Sequence, residues 1–532
     1  MRIRSWPGRL SSPARDALFV RAIGFASLLL GCRAAWLYHA AGLTLSHYDA
    51  KAHLVVARRV VDNLTPGWRQ LGAVWLPLPH LLNMLPVQID AFYRSGASAV
   101  AISIAAFVLA AAAIAWIVLL LTDSKPAAVA ASAVFVLNPN LVYLQATPMT
   151  EPLLLGLTTL GVALLIRSVR SVRLQPDVRL KADTTYASPG IVLALACLTR
   201  YEAWPVTYAA LAATAWTRWR NGQSPREAIV GVARIAVYPT LAILAFAVFS
   251  RVVVGQWFVS SDFFVPENKA QGLPIVAVKE IVWGTSELSG RVMIALGVAG
   301  CAVLAAAGLF SKRHANALIA LSLAGTAAVP WAAFIDGHPF RIRYMVPLIA
   351  MEAVAAGGLI GYVGRAFQAR RGGNRGPERA ALLVATVVIA IAAYELHPFD
   401  VNAPMVVEAQ WDRVNQLPRY QITKCLKSHY DGTSIMASMG SLGHYMQETS
   451  RDGFNVRDFL HEGNGDIWLA ALDTPRNFAG WMLIEEKAEG GDMLYKRARE
   501  NPAFLQGFSR VCEGAGVALY QRDQNRIANV NK

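Results

Sequence analysis

Four short stretches of this sequence set ionisable side chains beside long apolar runs, where a charge at the centre of a membrane helix costs about 2.5 to 3.5 kcal/mol. They are Asp49 with Lys51 and His53, Glu151 in Thr147-Pro148-Met149-Thr150-Glu151-Pro152, Arg200 with Glu202, and Arg341, Arg343 and Tyr344 in His338-Pro339-Phe340-Arg341-Ile342-Arg343-Tyr344. A carboxylate removes the proton of a hydroxyl nucleophile as the new bond forms. A guanidinium gives two parallel hydrogen bonds to a departing phosphate. Asp49 is the first candidate for the base, with helix capping as its alternative, since Tyr48 to Val61 reads as an amphipathic helix. Arg200, Arg341 and Arg343 are candidates for the phosphate, against interfacial anchoring or an ion pair of Arg200 with Glu202. Glu151 is a second acid/base group, a hydroxyl binder or a metal ligand, or else a carboxylate favoured by the dipole in the first turn of a helix. Lys51, His53, Arg58 and Arg59 either meet lipid phosphate or form a solvated face. No Cys/His spacing suggests zinc, and a divalent metal ion is left open as a cofactor.

The elements that must position these residues are membrane helices. Of 532 residues, 55% are hydrophobic and only 16% charged, with a mean hydropathy of +0.37, whereas a soluble chain carries about 25% charge. The net charge of +15 would suggest nucleic acid in a soluble protein. Here the basic residues cluster in short loops between apolar runs, which is the pattern of membrane orientation and excludes a nucleic-acid partner. Apolar runs cover about 17–38, 96–121, 126–145, 151–166, 190–217, 227–250, 290–311, 314–334, 344–364 and 380–396. The first is retained as a helix, although the preceding arginines also resemble a signal peptide and Leu29-Leu30-Gly31-Cys32 a lipoprotein cleavage site. The run 190–217 is too long for one span and is read as two half-helices meeting at Arg200-Tyr201-Glu202.

The expected fold is therefore mainly α, a polytopic bundle of about eleven spans over residues 1–396, followed by a soluble extracytoplasmic α/β domain over 397–532. With a cytoplasmic N-terminus, Lys125, Arg167, Arg170, Arg173, Arg179, Lys181, Arg218, Arg220, Arg226, Lys312, Arg313, Arg365, Arg370, Arg371, Arg375 and Arg379 fall in cytoplasmic loops. All four candidate stretches then face outward and can share one cavity. The first outer loop, about 39–95, carries Trp68, Trp75, Pro77 and Pro79 and reads as interfacial helices. The polar insert 170–186, with its near-repeat VRLQPD and VRLKAD, is a solvated loop. In the C-terminal part, strands are expected at Ser434–Met439, Trp481–Ile484 and Val517–Tyr520, and a helix at Glu408–Leu426. Cys425 and Cys512 either pair or stay free; Cys32, Cys197 and Cys301 lie in apolar runs.

At these residues the chain resembles the GT-C superfamily of glycosyltransferases, particularly the branch of protein O-mannosyltransferases and lipid A aminoarabinose transferases. The likeness rests on His47-Tyr48-Asp49 in a long first outer loop, Met149-Thr150-Glu151-Pro152 opening a later helix, Leu198-Thr199-Arg200-Tyr201-Glu202 between short helices and Arg343-Tyr344-Met345-Val346-Pro347 near the last spans. It implies an inverting transferase in the bacterial inner membrane that takes its sugar from a polyprenyl-phosphate donor and passes it to a lipid, glycan or protein acceptor, with Asp49 as base. Many relatives have two adjacent acidic residues there, whereas Asp49 is followed by Ala50, which leaves the metal and the acceptor unassigned. The rival classes are a lipid-linked-sugar transporter or flippase and a noncatalytic membrane anchor.

Overall fold

The computed structural model describes residues 13–71, 75–174, 182–255, 257, 268–371, 376–487 and 492–523. Residues 175–181 of the polar insert and 372–375 of the last basic loop lie outside the described residues.

Helix α1 (Pro13–Ala40) leads into a long first loop, which holds α2 (Tyr48–Arg58), α3 (Leu78–Asn83) and α4 (Asp90–Ser95). Then come α5 (Ala97–Thr122), α6 (Lys125–Val136), α7 (Pro139–Leu144), α8 (Glu151–Leu174), α9 (Ala182–Cys197), α10 (Ala203–Arg220) and α11 (Pro225–Phe249). After α12 (Pro274–Ser289) follow α13 (Arg291–Phe310), α14 (Ala317–Leu321), α15 (Ala328–Ile335), α16 (Leu348–Arg371) and α17 (Gly376–Leu396). Among the described residues, eight helical stretches are long and apolar enough to cross a membrane. They make the chain an integral membrane protein. Helices α6 and α9 supply two shorter apolar segments, Lys125–Val136 and Tyr186–Cys197.

Two of the apolar runs are broken. The run 126–145 divides at Asn138-Pro139, because the Asn138 side chain accepts the Asn140 and Leu141 N–H groups while Pro139 has no N–H to continue α6. The run 314–334 passes through a 3-10 segment at Ser322–Ala327 between α14 and α15. Helix pairs close where glycine lets backbones meet: a Cβ on Gly156 of α8 would lie 2.7 Å from the Ala106 carbonyl of α5, and one on Gly300 of α13 would lie 2.2 Å from the Ala355 carbonyl of α16. Small residues at helix contacts are how membrane bundles approach van der Waals distance.

Beyond Leu396 come α18 (Pro404–Glu408), α19 (Gln416–His429), α20 (Met439–Glu448), α21 (Asp466–Asp473) and α22 (Met493–Glu500), with strands β1 (Ile435–Ala437), β2 (Phe459–Leu460), β3 (Trp481–Glu485), β4 (Phe508–Gly514) and β5 (Val517–Arg522). The sheet runs β2-β1-β3-β5-β4, parallel on the β2-β1-β3 side and antiparallel from β3 through β5 to β4. The expected helix Glu408–Leu426 is two helices, since the chain turns at Ala409–Asp412 before α19 begins. Cys425 and Cys512 form a disulfide that joins α19 to β4. Leu54 and Val55 of α2 and Tyr93 of α4 share one buried cluster with Ile435, Tyr445, Phe459, Trp481 and Leu519, so the first loop and the C-terminal sheet pack on a common core.

Candidate active site

The N-terminus of α2 is capped by His47, not by Asp49: the His47 Nδ1 accepts the Asp49 N–H at 3.1 Å. The Asp49 carboxylate is thereby free to reach Arg343, with which it forms an ion pair. Arg343 lies on the 3-10 turn Ile342–Met345 that opens α16, and its guanidinium also sits 5.4 Å from the centre of the Tyr344 ring. Burial favours the protonated form of Asp49, but the charge and hydrogen bond of Arg343 outweigh it and hold the carboxyl well below the usual carboxylate range.

Arg200 stands in the break between α9 and α10. Its Nη1 donates to Glu151 Oε1 at 2.9 Å and to Thr150 Oγ1 at 3.1 Å, and its Nη2 donates to Glu202 Oε1 at 2.6 Å. The break is held from the loop after α1, where the Leu78 N–H of α3 donates to the Leu198 carbonyl at 2.9 Å. The Glu151 side chain is fully buried, and the Arg200 guanidinium is its ion-pair partner. His53 is buried near both pairs: its Nδ1 is 3.0 Å from His80 Nε2 and its ring lies tilted against Trp75 with the centroids 4.2 Å apart. Burial, then the neighbouring His80, keep it neutral, and it feels the charges of Asp49, Arg200 and Arg343 together. Arg200 and Arg343 lie in each other's field, as do Arg343 and Glu151.

Asp49, His53, Glu151, Arg200, Glu202, Arg343 and Tyr344 are thus brought together. Arg341 lies partly buried on the flank of the turn, in the field of His338. Lys51 points elsewhere, donating to Glu448 of α20 at 2.5 Å. Arg58 is engaged by Asp62 at 2.7 Å and Asp90 at 2.8 Å. Among the described residues no three His, Cys, Asp or Glu side chains group as a metal site, and the carboxylates nearest the centre are each engaged by a guanidinium. This donor set does not fit a divalent ion.

No protein-family model matches the sequence, and no curated protein matches it. Solved structures do. ArnT from Cupriavidus metallidurans bound to undecaprenyl phosphate aligns with a TM-score of 0.56 at 12% identity, over 96% of this chain and 98% of that chain. The apo state of the same ArnT aligns with a TM-score of 0.51 at 12% identity and the same coverage. The chain has an ArnT-like fold. It bears out the helical bundle and C-terminal α/β part expected from the sequence, and the ArnT likeness extends through both.

Within this ArnT-like fold, several residues at the centre were not singled out by their sequence. His47 was visible only as part of His47-Tyr48-Asp49, while His80, Trp75 and Thr150 sit in stretches recognised for other reasons. Glu408 lies 361 residues from His47, yet its Oε1 is 3.4 Å from the His47 Nε2. Nothing in its local sequence marks it.

Proposed function

We propose that the chain transfers a sugar from a polyprenyl-phosphate donor to an acceptor hydroxyl at the outer face of a bacterial inner membrane, with inversion at the anomeric carbon. The observation that carries this reading is the meeting of Asp49 with Arg343 beside a second guanidinium, Arg200, bracketed by Glu151 and Glu202. One base and two phosphate-binding cations in one site are what a displacement at a glycosyl phosphate needs. The ArnT likeness, to a protein seen with undecaprenyl phosphate, supports a donor of this class.

The reaction is a single displacement. The acceptor oxygen forms its bond to the anomeric carbon while the bond to the phosphate oxygen breaks, and that electron pair leaves with the phosphate. Arg343 and Arg200 stabilise the charge that grows there, and the acceptor proton passes to Asp49. Arg343 has five donors in a fixed fork, enough to keep Asp49 and also meet phosphate. Glu151 and Glu202 orient Arg200, and Glu151 lies where it can bind a hydroxyl of sugar or acceptor. Incubating the purified protein with labelled polyprenyl-phosphate sugars and hydroxyl acceptors tests the reading. Release of free polyprenyl phosphate with labelled acceptor is expected; labelled donor that crosses the bilayer unchanged would instead mark a transporter.

A further inference from the structure

We propose that Glu408 is a positioning residue for this site: by accepting the His47 Nε2–H it fixes the tautomer that caps α2 and keeps Arg343 on Asp49. The inference rests on the glycosyl-transfer reading above. His47 Nδ1 accepts the Asp49 N–H at 3.1 Å, so the proton of the neutral ring is on Nε2. Two groups face that nitrogen, Glu408 Oε1 at 3.4 Å and Arg343 Nη1 at 3.5 Å. A protonated Nε2 can donate to the carboxylate and cannot accept from the guanidinium, which is therefore turned to Asp49. In the other tautomer Nδ1 would no longer cap α2, and Nε2 would draw Arg343 away from Asp49. Arg343 lies in the field of Glu408 as well.

Glu408 is held firmly enough to do this. It ends α18, whose Met405 N–H donates to Asn140 Oδ1 at 3.0 Å, and the Asn140 amide in turn donates to the Leu288 carbonyl at 2.9 Å. Met405 and Val406 are fully buried, and the Glu408 side chain is 5% exposed. Its second oxygen, Oε2, is buried with no hydrogen-bond partner among the described residues. A buried carboxylate with half its acceptors unused is an expensive way to build a core, and its contact with His47 gives it a use. The segment that follows the last membrane helix thus completes the active site.

The test uses the full-length protein and the polyprenyl-phosphate sugar that the wild type turns over. Glu408→Leu removes the acceptor and is expected to lower kcat about tenfold to a hundredfold, as residues that orient another residue commonly do, with the donor KM within about twofold. Glu408→Gln still offers an oxygen to Nε2–H and should bring kcat back to within about threefold of wild type. His47→Asn keeps a capping oxygen but cannot report to Glu408, so Glu408→Leu added to it should cost nothing further. Full kcat in Glu408→Leu, or the same loss in both backgrounds, would overturn the proposal. If Glu408→Leu does not fold, nitrogen NMR of 15N-imidazole-labelled wild type decides. The signal that disappears in His47→Asn should be that of a neutral ring protonated at Nε2; a ring protonated at Nδ1 overturns the inference. A wild type that transfers no sugar from any donor defeats the glycosyl-transfer reading alone, because the tautomer is read without turnover.

Discussion

Asp49 sits against the guanidinium that weakens it as a base. In the ligand-free protein Arg343 holds its carboxyl well below the usual range, so the proposed base is already ionised at any pH above about 4, the ordinary value for Asp. The sign follows: with a depressed pKa, function is present above that range and is lost only as pH falls through it. The acid limb of kcat/KM is therefore expected below pH 4, and a limb near the ordinary histidine value in a pH-rate profile would assign the base elsewhere. Asp49→Asn should lower kcat by about a hundredfold to ten-thousandfold, and wild-type turnover would exclude Asp49. Arg200 behaves differently, because its removal strands the fully buried Glu151. Arg200→Ala is expected to destabilise the protein by about 3 to 5 kcal/mol, measured by thermal melting in detergent, with Arg200→Lys losing less stability while still losing the two-pronged contact. At this scale the convergence of Asp49 and Arg343 on one site was legible from their expected shared sidedness, but their direct ion pair was not. The orientation of Lys51 was not, because two residues along a helix turn a side chain to the opposite face, whereas Asp49 and His53, four apart, stay on one face. Glu408 was illegible altogether: the contact that gives it a role spans 361 residues.

Helices meet their partners through charges that the hydrophobic pattern hides. Lys51 of α2 and Arg419 of α19 both donate to Glu448 of α20, at 2.5 Å and 2.9 Å, which ties the first outer loop to the C-terminal part. Burial raises the Glu448 pKa, but Lys51 and then Arg419 outweigh it and bring the carboxyl from 4.5 to about 2. A depressed pKa contributes stability that is present above 4.5 and lost as pH falls towards 2. The melting temperature of the wild type should decline through that window, and Glu448→Gln should melt several degrees lower at neutral pH with a flatter acid decline; equal slopes would show that the clamp carries no linkage. The break between α9 and α10 could be read in advance because 190–217 has the wrong length for one span. The break at Asn138-Pro139 was hidden because both residues sit inside a run of suitable length. Strands β1, β3 and β5 announced themselves as apolar runs, whereas β2 has two residues and β4 buries only Phe508 fully along an edge, so neither carries a pattern.

Across the molecule, ion pairs sort the helix ends into two sets. Asp123, just past the end of α5, binds Arg170 of α8 at 2.6 Å and Arg365 of α16 at 3.1 Å, and Lys125 at the start of α6 is 3.9 Å from Asp16 near the start of α1. The other ends of α8 and α16 carry Glu151 and Arg343 into the candidate site, together with the turn that follows α1. One end of the bundle is therefore basic, and the other holds the chemistry. By the positive-inside rule we propose that the basic end faces the cytoplasm, with the site, the sheet and the Cys425–Cys512 disulfide on the other side, in the compartment where disulfides persist. Two exposed positions test the assignment, Asn221 in the loop after α10 and Asn402 beyond α17. In a background with Cys32, Cys197 and Cys301 replaced, a membrane-impermeant maleimide should label Asn402→Cys in intact cells and reach Asn221→Cys only after the membrane is opened. Reduction should expose Cys425 and Cys512 to the same reagent from outside and cost about 2 to 5 kcal/mol of stability. Labelling of Asn221→Cys alone would turn the whole molecule over. The site would then face the cytoplasm, and the proposed transfer could not occur where it has been placed.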